Sequence, residues 1–150
     1  MYLVDTNIIS AGAPAKAGAS STLVGWMDEH SFDLYMSAVS IAEIESGIAK
    51  LRRRGARRKA DALTAWVDTL LHLYGERVLP FDVPAARIAG NLSDLALSKG
   101  HAPGFADLVI AATAKHRGFM ILTTNVRHFA PLGVPFLDPF PGLPPAAGAG

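Results

Sequence analysis

Short uninterrupted apolar runs alternate along this chain with longer stretches in which apolar residues recur every three or four positions. The first kind predicts strands buried on both faces, the second helices with one apolar stripe. Tyr2-Leu3-Val4 is the first strand, followed at once by the helix-starting Asp5-Thr6-Asn7. Small residues and Pro14 make 11–19 a loop, after which Leu23, Val24, Met27 and His30 keep helical spacing. Residues 32–36 predict a second strand. Ser40-Ile41-Ala42-Glu43 has the form of a capping box and predicts the start of a helix whose stripe is Ile41, Ile44, Ile48 and Leu51.

Gly55 interrupts the pattern, and Ala60, Leu63, Trp66, Val67, Leu70 and Leu71 resume it over 57–73. Residues 77–81 predict a third strand, closed by Asp82, which caps the helix after Val83-Pro84. Ile88, Leu92, Leu95 and Ala96 share one face of that helix, and Gly100 stops it. Phe105, Leu108, Val109 and Ala112 form a further helix up to Gly118. Phe119-Met120-Ile121-Leu122 is the clearest buried strand, and 135–137 form a weak last one. This order predicts an α/β fold, a three-layer α/β/α arrangement around a central, mostly parallel sheet of about five short strands.

Composition narrows the picture. With 150 residues, half of them hydrophobic, the chain suits one domain, expected over 1–138. Residues 139–150 hold four prolines and three glycines and are expected to be a disordered tail. A formal charge of +1 excludes a uniformly basic or acidic protein, and the lack of cysteine excludes disulfides, thiol catalysis and cysteine-bound metal. No run approaches the roughly 20 apolar residues of a membrane span, so a cytoplasmic protein without membrane contact is expected. There is no Gly-x-Gly-x-x-Gly and no Walker-type Gly-Lys-Ser/Thr, which removes the best argument for a nucleotide cofactor.

In an open parallel sheet, ligands bind beyond the carboxyl ends of the strands. Three acids belong there: Asp5 directly after the first strand, Glu43 in the first turn of the helix after the second, and Asp107 in the first turn of the helix before Phe119. Each also has an ordinary role, Asp5 as a helix cap, Glu43 as half of a capping box, Asp107 as a complement to a helix dipole. Meeting at one crevice they would repel, unless held by a cation, and an all-oxygen donor set suits Mg²⁺ or Mn²⁺.

The same residues carry a resemblance. Val4-Asp5-Thr6-Asn7, Ser40-x-x-Glu43, Leu79-Pro80-Phe81-Asp82, Asp107-Leu-Val-Ile-Ala-Ala-Thr-Ala114 and Leu122-Thr-Thr-Asn125-x-x-x-Phe129 come in the order seen in PIN-domain proteins. From Met1 to about Asp138 the chain resembles the VapC-type toxins of bacterial toxin–antitoxin pairs, including their FitB-like members. The resemblance implies a PIN-like fold and a metal-dependent endoribonuclease in which Asp5, Glu43 and Asp107 are the catalytic, metal-binding acids. It also implies a cognate antitoxin partner, an RNA substrate and a homodimer. The family usually has a further acid at the position of Asn125 or of His128; neither is acidic here, which leaves three carboxylates to hold the ion. Thr6, Asn7, Thr123, Thr124 and Asn125 are candidates to support those carboxylates, or else plain caps and turn formers.

Seven of the 14 basic residues fall within 50–59. Arg52, Arg53, Arg57 and Arg58 there are candidates for RNA contact, against the alternative of a solvated helix junction. The five histidines make no zinc signature; His101, in the loop before Asp107, is either within reach of phosphate or simply exposed. Two other readings compete: a PIN fold that binds RNA or a protein without cutting, and a phosphohydrolase with Asp5 as nucleophile. The second is weakened by Asn7 standing where an Asp-x-Asp pair needs its second acid.

Overall fold

The computed structural model describes residues 1–14 and 21–144. Five short strands, β1 (Tyr2–Val4), β2 (Leu34–Ser37), β3 (Val78–Leu79), β4 (Met120–Leu122) and β5 (Phe136–Leu137), form one all-parallel sheet in the order β3-β2-β1-β4-β5. β1 is therefore central, and its three residues are all buried. The period of two divides them: Tyr2 and Val4 pack on one face with Ile8, Trp26, Ile44 and Val67, while Leu3 packs on the other with Leu92, Ile110, Ile121 and Phe129. Side chains such as Leu3, Leu34 and Ile121 have no exposed surface, and each such burial contributes about 1.5–3 kcal/mol.

The first face is covered by α1 (Thr6–Ala11), α2 (Ser21–Glu29), α3 (Ala38–Arg53) and α4 (Arg57–Tyr74), the second by α5 (Val83–Ser98), α6 (Phe105–Arg117) and α7 (Val126–Phe129). This is the three-layer α/β/α arrangement expected. Asp82 caps α5 as predicted, its Oδ1 accepting from Ala85 N at 3.0 Å. Two glycines turn the chain where a side chain would be strained: Gly55 at φ +82° between α3 and α4, and Gly118 at φ +70° closing α6 ahead of β4.

Several boundaries differ from the sequence pattern. Ser31–Asp33 is a 3₁₀ turn with Phe32 83% exposed, so β2 begins only at Leu34. β3 is two residues long and ends before Pro80, which has no amide hydrogen to give a ladder. The helix after β2 starts at Ala38, and Ser37, not Ser40, is its cap, with its hydroxyl accepting from Val39 N at 3.3 Å. The capping box is therefore wrong: Ser40 is inside the helix with its hydroxyl buried, and Glu43 lies in the second turn. The short helix α7, four residues without a periodic stripe, was not predicted. Residues 139–144 continue as bends and irregular chain with Pro144 buried, and the end of the expected tail, 145–150, lies outside the described residues, as do 15–20 of the expected loop. No described helix is long and apolar enough to cross a membrane.

Candidate active site

β1 ends at Val4, and Asp5 comes next, at the carboxyl edge of the central strand. Its backbone N–H still donates to Leu122 O on β4 at 2.9 Å, and its side chain caps α1, with Oδ1 accepting from Thr6 N at 2.7 Å. The ordinary role foreseen for Asp5 is thus real, but it uses only one oxygen. Oδ2 accepts from the Thr123 hydroxyl at 2.6 Å, and Thr123 also accepts from Asn125 N at 2.9 Å. Asp5 and Thr123 are both buried, so the end of β4 clamps the carboxylate from a neighbouring strand.

Glu43 is exposed on α3 and reaches the same edge through Thr6, whose hydroxyl donates to Oε2 at 2.5 Å. Asp107 lies in the first turn of α6 as predicted, and His128 Nδ1 lies 3.0 Å from its Oδ2. Asn7 donates from Nδ2 to the Thr124 hydroxyl at 2.7 Å, tying the start of α1 to the loop after β4. Asn125 acts through its backbone and has an exposed side chain.

Asp5 senses the other two acids. Burial pushes the Asp5 carboxyl above the usual carboxylate range; the bonds from Thr123 and from Thr6 N pull it down, and the negative charges of Asp107 and then Glu43 push it up again. Acids on α3 and α6 are therefore near enough to act on the charge of Asp5 at the end of β1. As they stand, no three His, Asp or Glu side chains among the described residues are grouped closely enough to hold an ion. Glu43 is drawn to Thr6 and Asp107 to His128. The donor chemistry nonetheless fits a hard cation: three carboxylates and, two residues after Asp5, Asn7 Oδ1, a buried carbonyl oxygen without a hydrogen-bond partner.

Two hollows flank the acids. One, of about 320 Å³, runs between α1, α3 and α4 past Thr6, Glu43, Ile48, Leu51, Lys59 and Trp66. Lys59 at its far end belongs to the basic turn. There Arg52 is held by Asp61 at 3.2 Å and Thr64 at 3.0 Å, whereas Arg53, Arg57 and Arg58 are exposed. Arg54 is about 16 Å along α3 from Glu43 at 1.5 Å per residue, so the basic turn is at a distance from the acids. The second hollow, of about 250 Å³, adjoins Asp107 and includes His101, Arg127 and His128. Sequence reasoning missed the His128–Asp107 contact and gave Arg127 no role. Neither lies on a periodic stripe, and α7, which presents both, is only four residues long.

An α/β fold with Asp5 at the carboxyl edge of a parallel sheet, two further acids acting on its charge, and no nucleotide-binding loop defines the class of protein. Within that class, the chain belongs to the PIN-domain family, whose model matches residues 2–132. It is 36% identical over 141 residues to the VapC ribonuclease Y4jK of Sinorhizobium fredii, an alignment covering 93% of this chain and 98% of that protein. It is 32% identical over 141 residues to Toxin FitB of Neisseria gonorrhoeae, covering 93% and 99% of the two chains. The crystal structure of FitAcB from the same organism superposes with a TM-score of 0.81 at 32% identity, over 93% of this chain and 99% of that one.

Proposed function

We propose that this chain is a metal-dependent endoribonuclease, the toxin of a toxin–antitoxin pair, which hydrolyses RNA phosphodiester bonds. The observation that carries the reading is that Glu43 and Asp107, acids far apart in sequence, both act on the buried carboxyl of Asp5 at the edge of the sheet. Membership in the PIN family, and relatives named as a ribonuclease and a toxin, support it. A cytoplasmic setting belongs to the same reading.

Asp5, Glu43 and Asp107 would hold Mg²⁺ or Mn²⁺, with Asn7 Oδ1 available to the ion or its water. When bound, such an ion supplies positive charge to a phosphate and lowers the pKa of a water. The chain's own residues prepare the place. Thr123 and Thr6 N orient the Asp5 carboxylate, Thr6 holds Glu43, and His128 holds Asp107. Asn7 and Thr124 keep α1 and the β4 loop together, and the exposed Arg53, Arg57 and Arg58 would attract the RNA backbone.

The groove from Glu43 to Trp66 also suits an antitoxin segment, apolar along its length and carrying an Arg whose planar donors match the acids. The exposed Phe81, Val83 and Phe105, with Phe81 and Phe105 edge to face at 6.0 Å, support the expected homodimer. A PIN fold that binds RNA or a protein without cutting is favoured by one observation, His128 seated on Asp107, at one of the two positions where the resemblance would put a further acid.

The test is cleavage of single-stranded RNA by the purified chain, in EDTA and with added Mg²⁺ or Mn²⁺. Metal-dependent cutting that falls by about a hundredfold or more in Asp107→Asn is expected. Binding without cleavage in any metal would establish the non-cleaving reading, and cleavage unchanged by Asp107→Asn would remove Asp107 from the site.

A further inference from the structure

The hollow beside Asp107 differs in chemistry from the crevice of acids it adjoins. Its walls include His101, Gly104, Arg127, His128 and Pro131, and Asp107 is the single acid among its lining residues. That acid is already engaged, since its Oδ2 faces His128 Nδ1 at 3.0 Å. Arg127 is exposed and makes no ion pair among the described residues, so its permanent charge and its fork of donors are available at the pocket wall. Lys99, outside the lining, is tied to it through Pro131, its Nζ donating to Pro131 O at 3.2 Å. His101 brings an N–H in either neutral tautomer. Arg127 and the neighbouring Lys99 thus set two permanent cations against the single carboxylate of Asp107, although the chain as a whole is close to neutral.

Size narrows the occupant. A volume of about 250 Å³ is below the roughly 300–1,000 Å³ of pockets that enclose a whole small molecule. It is about eight times the roughly 30 Å³ share of a water molecule, enough for one charged group with part of its hydration. Because the pocket opens next to Asp107, whatever fills it lies directly beside anything bound at the acids.

We propose that the pocket lined by His101, Arg127 and Pro131 is a phosphate subsite for single-stranded RNA, holding the phosphodiester adjacent to the one addressed by Asp5, Glu43 and Asp107. The assignment rests on the ribonuclease reading and deepens it: one phosphate is met by acids that call for a cation, the next by the protein's own cations. Arg127 carries most of the attraction, and Lys99 and His101 fix the side of the site from which the strand leaves. Contact with phosphate is blind to base identity, so the subsite sets register on the strand and not sequence preference.

The test is binding of fluorescently labelled single-stranded RNA to the intact protein in EDTA, followed by anisotropy between about 50 and 200 mM salt. Loss of one phosphate contact in Arg127→Ala should reduce the slope of log affinity against log salt by about 0.7, equally for a uridine homopolymer and a mixed sequence. Arg127→Lys should restore most of the slope, and melting curves should confirm that both variants are folded. Equal slopes and affinities for wild type and Arg127→Ala would overturn the subsite while leaving RNA binding in place. Failure of the wild type to bind RNA in EDTA or with Mg²⁺ would overturn the ribonuclease reading itself, and the subsite with it. A variant that keeps its RNA affinity but no longer binds an acidic protein partner would reassign the pocket to that partner's carboxylate.

Discussion

Replacing Thr123 by Val keeps the shape of a fully buried side chain and removes one hydroxyl that does two things. It donates to Asp5 Oδ2 at 2.6 Å and accepts from Asn125 N at 2.9 Å. A hydrogen bond to a charged group is worth about 1.5–3 kcal/mol, and an amide left without its partner costs about 1 kcal/mol more when part-buried. The expected loss at neutral pH is therefore about 2–4 kcal/mol, a fall in Tm of about 5–15 °C for a chain of this size. The loss should depend on pH in a definite direction. The Thr123 bond favours ionised Asp5, so its contribution is present where Asp5 is charged and shrinks as pH falls through the Asp5 pKa, when only a neutral bond remains to be lost. Urea unfolding of the metal-free protein at neutral and acid pH measures both effects. Thr123→Ser is the control: it keeps the hydroxyl and loses one methyl, at about 1 kcal/mol with little pH dependence. A Thr123→Val penalty within about 0.5 kcal/mol of the Thr123→Ser penalty at neutral pH would refute the claim that this hydroxyl holds the carboxylate.

Asp5→Asn keeps a good helix cap but removes a charge that burial, Asp107 and Glu43 all disfavour. An acid whose pKa is raised on folding contributes stability below its ordinary value near 3.8 that is lost as pH rises through the raised value. Metal-free Asp5→Asn should accordingly melt higher than wild type at neutral pH, with the difference closing below about pH 4, and added Mn²⁺ should stabilise wild type alone. Asn125→Asp adds a charged oxygen at nearly constant volume, and calorimetric titration should find Mn²⁺ bound about tenfold more tightly; equal affinity would show that position 125 faces away from the acids. Val83 is 74% exposed beside Phe81 and Phe105, so Val83→Asp should convert a dimer to a monomer in light scattering, and a monomeric wild type would end the homodimer expectation.

Much of the fold was legible from apolar periodicity, because a strand buried on both faces and a helix buried on one leave different periods, and burial is the largest favourable energy in folding. β1 and β4 were read this way almost to the residue, as was the stripe of α3. What failed was local and polar. Ser37 and Ser40 are both serines near the start of α3, and their identities alone do not say which is the cap; the end of β2 decides it by placing Ser37 in extended backbone at φ −93°, ψ 142°. The candidate acids were singled out from positions just after strands or at helix starts, a rule that follows from parallel topology, although Glu43 stands one turn further into α3 than the sequence suggested. Their partners were not: Thr123 reaches Asp5 because β4 pairs with β1, and His128 reaches Asp107 because α7 packs beside α6. Sequence by itself determined which residues must be buried and which chemistry was at hand, since side-chain type and spacing suffice for both. The tertiary structure alone decided which donor faces which carboxylate, because a hydrogen bond depends on a few tenths of an ångström between groups 21 to 118 residues apart, and no periodicity along the chain encodes that distance.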